Sequence, residues 1–92
     1  IFMKKIHIMA GDFSTPEELQ EYLGDVFSFP NHYGANLDAL YDCLTEVDEK
    51  TKIIISNKIA EEDSLGEYGE RLLEVFETAA QDNDKLKLEI TE

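Results

Sequence analysis

Residues 51–56 read TKIIIS, and this short run decides the fold class of the chain. Thr51 and the three consecutive isoleucines are β-branched, which favours an extended strand over a helix. The run holds few polar residues, as in strands that are buried on both faces of a parallel sheet. We therefore predict a central strand here, covered on both faces.

Two further strands are predicted towards the ends of the chain. Residues 4–9 alternate, with Ile6 and Ile8 on one face, and residues 85–91 alternate in the same way. A period of two is typical of a strand with one face in the core. In the last strand the predicted inward residues are Leu86, Leu88 and Ile90.

Helical patterns separate these strands. Thr15 is a good N-cap with Glu18 in the capping-box position, and Pro30 is expected to close this first helix. Asn36 is expected to cap a second helix that runs to about residue 46. A third helix is predicted over residues 70–80, whereas residues 59–69 have no clear pattern because their glycines disfavour a helix.

This strand–helix–helix–strand–helix–strand order predicts an α/β fold, in which three to four helices pack on a three-stranded, mostly parallel sheet. At 92 residues the chain is expected to form one domain over residues 1–92. Ile1 and Phe2 precede Met3, where translation is expected to start, so we expect these two residues to be added or upstream ones.

Composition excludes several classes of protein. Cys43 is the single cysteine, so neither an intramolecular disulfide nor a cysteine metal clamp is possible. No apolar run is long enough to span a bilayer and no secretory signal is visible, so we expect a cytoplasmic location and no membrane contact. We also expect no cofactor, no metal and a monomeric free chain.

Charge is the strongest signal in the sequence. The 8 basic residues and 21 acidic residues give a net charge of −13. Between Lys5 and Lys50 there are ten acidic residues and no lysine or arginine. Such a surface repels nucleic acid and steers basic partners inward, although acidity can also serve solubility alone.

The second predicted helix concentrates this acidity on one face. Its core face is formed by leucines and Val47, whereas Asp38 and Asp42 lie one turn apart on another face, with Thr45 and Glu46 near them. Like charges at this spacing destabilise a helix by a few tenths of a kcal/mol. This face is therefore either a solvated surface or a surface that binds cations or cationic groups.

Residues 29–45 read FPNHYGANLDALYDCLT, and this run resembles the signature of the barstar family of intracellular inhibitors of barnase-type guanyl ribonucleases. The family pattern has Tyr-Gly, any residue, Asn-Leu-Asp-Ala-Leu, an aromatic residue, Asp and, after two more residues, Thr. All of these positions match in residues 33–45. The length, the first strand and the last helix also fit.

The resemblance implies an inhibitor that fills the active site of a nuclease and catalyses nothing. Asp42 would occupy the substrate-phosphate position, flanked by Asp38 and Thr45, and residues 32–34 would cover the guanine-binding side. Charge mimicry of this kind presents carboxylates to a site built for an anion. The predicted partner-binding residues are His32, Tyr33, Gly34, Ala35, Asn36, Leu37, Asp38, Tyr41, Asp42, Thr45, Glu46, Glu77 and Thr78.

Three positions depart from the family prototype. His32 replaces a tyrosine, Tyr41 replaces a tryptophan, and Thr78 stands where an acid contacts the nuclease, with Glu77 beside it. These departures concern the identity of the nuclease more than the inhibitor class. Two other hypotheses stay open independently of them. The chain could be an acidic immunity or interaction module that binds a different basic protein, or Asp38, Asp42 and His32 could hold a hard cation.

Overall fold

The computed structural model describes residues 4–29, 34 and 36–92. Its elements in chain order are β1 (Lys4–Ile8), α1 (Pro16–Val26), α2 (Leu37–Thr45), β2 (Thr51–Ser56), a 3₁₀ turn (Asn57–Ala60), α3 (Gly66–Asp82) and β3 (Leu86–Thr91). The three strands form one parallel sheet in the order β1-β2-β3. This confirms the predicted α/β class. No helix of the described residues is both long and apolar enough to cross a membrane.

Within the part of the chain that the structure describes, helices cover the sheet on one face only, so the prediction that β2 is buried on both faces is wrong. Ile53 and Ile55 are fully buried, but Lys52 and Ile54 on the other face remain half-exposed. Parallel crossovers are right-handed, and with sequential strand order they bring every helix to the same side. The open face carries an ion pair between Lys52 Nζ and Glu89 Oε1 at 3.0 Å.

The core lies between the covered face of the sheet and the three helices. Phe76 is its largest fully buried side chain. Leu86 is buried and Leu88 is half-buried, as predicted, but Ile90 is 43% exposed. The helix layer does not cover Ile90, which lies near the end of an edge strand. The other buried hydrophobic residues are Ile6, Ile8, Leu19, Leu23, Leu40, Leu44, Ile53, Ile55, Ile59, Leu72, Leu73 and Ala79.

Both predicted N-caps are confirmed. Thr15 Oγ1 accepts from the backbone N–H of Glu18 at 3.2 Å, and Asn36 Oδ1 accepts from that of Ala39 at 2.8 Å. These bonds satisfy N–H groups that have no partner within the helix.

The first helix ends earlier than Pro30 alone suggests. The N–H of Phe29 donates to the carbonyl of Gly24 at 3.0 Å, and that of Ser28 donates to the carbonyl of Asp25 at 3.3 Å. Ser28 has a φ of 56°, the left-handed conformation found after many helix ends. A Schellman motif therefore ends α1 before the proline is reached.

The third helix begins four residues earlier than predicted, at Gly66. Gly69 lies inside it and is buried next to Ile59 and Ala60 of the 3₁₀ turn. A Cβ atom at Gly69 would overlap the carbonyl oxygen of Ile59 and lie 2.6 Å from its carbonyl carbon. Glycine at this position therefore allows two backbone segments to touch, which outweighs its low helix propensity.

Candidate functional site

The second helix presents its acidic face to solvent, as predicted. Leu40 and Leu44 are fully buried and attach α2 to the core. Asp38 and Asp42, one turn apart, are exposed. The anchoring leucines thus set the rotation of the helix, and this rotation directs both carboxylates outward.

Neither carboxylate is used internally within the part of the chain that the structure describes. The ion pairs found there join Lys4 to Glu49, Lys52 to Glu89 and Arg71 to Glu67. No hydrogen bond found there involves the carboxylate of Asp38 or Asp42 either. The two negative charges therefore remain available to an external partner.

A groove between α2 and α3 contains both aspartates. Thr78 also lines the groove, so predicted residues from two separate segments are brought together. Four further residues of α3 that were not predicted line it as well. The lining residues are Asn36, Leu37, Asp38, Tyr41, Asp42, Tyr68, Arg71, Glu74, Val75 and Thr78.

The spacing of the α3 groove residues in the sequence indicates that they share one helix face. Tyr68, Arg71, Val75 and Thr78 are separated by three, four and three residues, which is the spacing of one helix face. The face mixes aromatic, basic, aliphatic and hydroxyl side chains, so no hydrophobic stripe marks it. Only the packing of α3 against α2 shows that it faces the aspartates.

The groove is not uniformly acidic, because its lining includes the basic residue Arg71. Its guanidinium Nη2 donates to Glu67 Oε1 at 2.9 Å, one turn earlier on α3. Both side chains are largely exposed, so the pair contributes little to stability. Arg71 is thus paired on its own helix rather than with Asp38 or Asp42.

Tyr41 joins α2 to the end of α3. Its hydroxyl donates to Asp82 Oδ2, and its ring packs against the core. The hydrogen bond that Tyr41 donates to Asp82 is the main cause that raises the pKa of the Tyr41 phenol, followed by desolvation and the negative charges of Asp82 and Asp42. The phenol therefore stays protonated as a donor, and part of Tyr41 has a structural role.

Two predicted contact residues at the end of α2, Thr45 and Glu46, lie outside the groove. The Thr45 hydroxyl donates to the carbonyl oxygen of Asp42 at 2.7 Å and is half-buried. Glu46 is exposed and lines a second, separate concavity together with Cys43 and Val47. Neither residue is among those that line the groove with the aspartates.

The remaining predicted contacts are spread more widely. Gly34 is exposed, and its carbonyl oxygen accepts from Asn36 Nδ2 at 3.4 Å. Glu77 is exposed on α3 but does not line the groove that Thr78 enters. The predictions for His32, Tyr33 and Ala35 lie outside the described residues.

The reactivity of Cys43 and metal binding are the two other kinds of chemistry to consider among the described residues. Burial is the main cause that raises the pKa of the Cys43 thiol, with further contributions from Glu46 and Asp42, so the thiol stays protonated and weakly nucleophilic. Within residues 4–29, 34 and 36–92, no group of three or more His, Cys, Asp or Glu side chains is placed to hold a metal ion.

Comparisons with known proteins agree with this geometry. The model of the family described as "Barstar (barnase inhibitor)" matches residues 3–91. A Bacillus subtilis (strain 168) protein named "Putative ribonuclease inhibitor YrdF" is 40% identical over 88 residues, which cover 94% of this chain and 97% of that protein. Both matches indicate an inhibitor rather than an enzyme. With its acidic helix exposed beside α3 and this match over nearly its whole length, the chain belongs to the barstar family.

Proposed function

We propose that this protein inhibits a barnase-type guanyl ribonuclease by filling its basic active-site cleft with α2 and the loop before it. The observation that carries the proposal is the exposure of Asp38 and Asp42, without internal partners among the described residues, on a helix anchored in the core. Carboxylates held in this way can replace the phosphate groups of RNA in a site built for anions.

The groove extends this proposal to α3. Asp42 would face the cationic residues that bind the scissile phosphate, and Asp38 would flank it. Thr78, Arg71 and Glu74 lie across the groove from the aspartates and would contact the rim of the cleft. The nuclease therefore needs basic groups opposite α2 and a polar or acidic group opposite Arg71.

Overall charge supports the same proposal. A net charge of −13 attracts a basic nuclease over long distances and repels its nucleic-acid substrate. We also propose that the protein acts in the cytoplasm as a monomer and protects the cell that produces the nuclease. Self-protection of this kind requires rapid capture of the enzyme before it reaches cellular RNA.

The direct test is titration of a barnase-type ribonuclease with this protein while cleavage of a fluorescent RNA is followed. We expect inhibition with a sharp end point at one inhibitor per enzyme, because a plugged active site admits no substrate. Heat-unfolded protein serves as the control for nonspecific polyanion effects. No inhibition across several such nucleases would contradict the proposal and favour an immunity module for another basic protein.

Association with the nuclease is expected to slow as salt increases. Long-range attraction is screened over about 8–10 Å near physiological ionic strength, so we expect the association rate constant to fall at least about tenfold from about 0.05 M to 0.5 M salt. The dissociation rate constant should change much less, because contacts inside the interface are poorly screened. Stopped-flow fluorescence measures both, and a salt-independent association rate would contradict electrostatic steering.

A further inference from the structure

One buried amide holds the end of the candidate inhibitory helix. Asn83 follows α3 and is only 8% exposed. Its Nδ2 donates to the carbonyl oxygens of Leu44 and Val47, both at 2.9 Å, and lies 3.4 Å from that of Thr45. Its Oδ1 accepts from the backbone N–H of Lys85 at 3.0 Å. Both ends of the amide are therefore used, one on α2 and one on the turn into β3.

The C-terminus of α2 needs such a donor. The last carbonyl groups of a helix have no partner within it and carry its negative dipole end. No basic residue lies in the last turn of α2, and Ser28 is the one non-glycine residue of the described part of the chain with a positive φ, so Val47 forms no left-handed cap after Glu46. The backbone N–H of Val47 donates to the carbonyl oxygen of Leu44 at 3.3 Å. Asn83, 39 residues from Leu44 in sequence, adds a shorter bond to that oxygen at 2.9 Å and also reaches the carbonyl oxygens of Thr45 and Val47.

Length makes this external support important. An α-helix of nine residues is marginal in water, so α2 depends on tertiary contacts to remain helical. Leu40 and Leu44 hold its middle, and Asn83 holds its end. Asp42 lies only two residues before Leu44. Fraying of the last turn would therefore spread the positions of the Asp42 carboxylate.

We propose that Asn83 is a positioning residue for inhibition: it keeps the last turn of α2 formed and thereby preorganises Asp42 for the nuclease. This inference rests on the proposed function. Asn83 itself need not touch the partner. A preorganised helix loses less conformational entropy on binding, so the contribution of Asn83 appears in how long the complex lasts.

The test compares two variants, Asn83→Ala and Asn83→Asp, with a control substitution at the distant buried residue Ile8. The control is Ile8→Val or Ile8→Ala, whichever has a free energy of unfolding that matches that of the Asn83 variants. Asn83→Asp keeps the shape of the side chain but replaces the donor with a carboxylate that faces three carbonyl oxygens. We expect the Asn83 variants to dissociate from a barnase-type ribonuclease about tenfold faster, with an unchanged association rate constant for Asn83→Ala. The control should dissociate at the native rate. Should Asn83→Asp fail to fold, Asn83→Ser is measured in its place.

Hydrogen exchange of the free proteins separates this inference from the proposed function. We expect amides of residues 42–47 to exchange at least tenfold faster in the Asn83 variants than in the stability-matched control. Unchanged exchange would contradict the inference that Asn83 keeps the last turn of α2 formed, whether or not a nuclease binds. Faster exchange with native dissociation would overturn the positioning role. A native chain that inhibits no nuclease would overturn the proposed function and that role together. Hydrogen exchange would still show whether Asn83 keeps the last turn of α2 formed.

Discussion

Asp42→Asn is expected to weaken binding to a barnase-type ribonuclease by two to three and a half orders of magnitude. In the proposed complex the Asp42 carboxylate is buried against cationic groups of the active site. Removing one partner of a buried charge pair costs about 3–5 kcal/mol, because the other charge is left desolvated and unpaired. Each 1.4 kcal/mol corresponds to a factor of ten in the dissociation constant. Titration calorimetry or competition kinetics measures this change.

Glu61→Gln provides the matched control. It removes the same single charge from an exposed glutamate next to the 3₁₀ turn, away from the groove. We expect its dissociation constant to change no more than a few-fold, through weaker long-range attraction. Equal losses for the two variants would show that total charge, rather than the face of α2, controls binding.

The same Asp42→Asn variant should fold at least as well as the native chain. Asp42 is exposed, its carboxylate has no internal partner among the described residues, and it lies one turn from the like charge of Asp38. Neutralising it relieves a repulsion of a few tenths of a kcal/mol. Loss of binding together with unchanged or slightly higher stability would identify Asp42 as a residue kept for recognition.

Gly69→Ala is expected to lower the free energy of unfolding by about 3 kcal/mol, near the upper end of typical overpacking costs. Helix propensity alone predicts the opposite, since alanine is favoured over glycine by about 1 kcal/mol inside a helix. The added methyl group would meet Ile59 and Ala60, and the atoms nearest to it are all backbone atoms. No rotamer change can relieve that overlap, so α3 and the 3₁₀ turn must separate.

Chemical denaturation of Gly69→Ala and of Glu70→Ala measures this effect. Glu70 is the adjacent residue on α3 and is exposed, so its truncation tests helix propensity without the backbone contact. We expect Glu70→Ala to change the free energy of unfolding by less than about 0.5 kcal/mol. A Gly69→Ala variant as stable as the native chain would contradict the close packing of the two segments.

Several features of the fold could be predicted because neighbouring residues determine them. The bounds of β2 match the β-branched run at residues 51–56, and Thr15 and Asn36 cap their helices through bonds to residues three positions later. Strand alternation indicated which face of β1 enters the core. In each case the favourable interaction lies within a few residues, so the sequence pattern is enough to predict it.

The start of α3 could not be predicted in this way. Gly66 and Gly69 disfavour a helix locally, yet α3 begins at the first and includes the second. Packing of the 3₁₀ turn against Gly69 stabilises the early turns more than glycine destabilises them. The open face of the sheet also escaped prediction, because it depends on the order of the strands in the sheet, which sequence pattern does not give.

The amino-acid sequence by itself determined the strands, the helix caps, the negative charge and the two aspartates on one face of α2, since each depends on residue type and short-range spacing. Tertiary structure alone decided which face of α3 lies across from those aspartates, and that Asn83 closes the end of their helix. Both depend on the relative position of elements some forty residues apart in the chain. Burial of leucines and backbone hydrogen bonding select that position only when the whole core assembles.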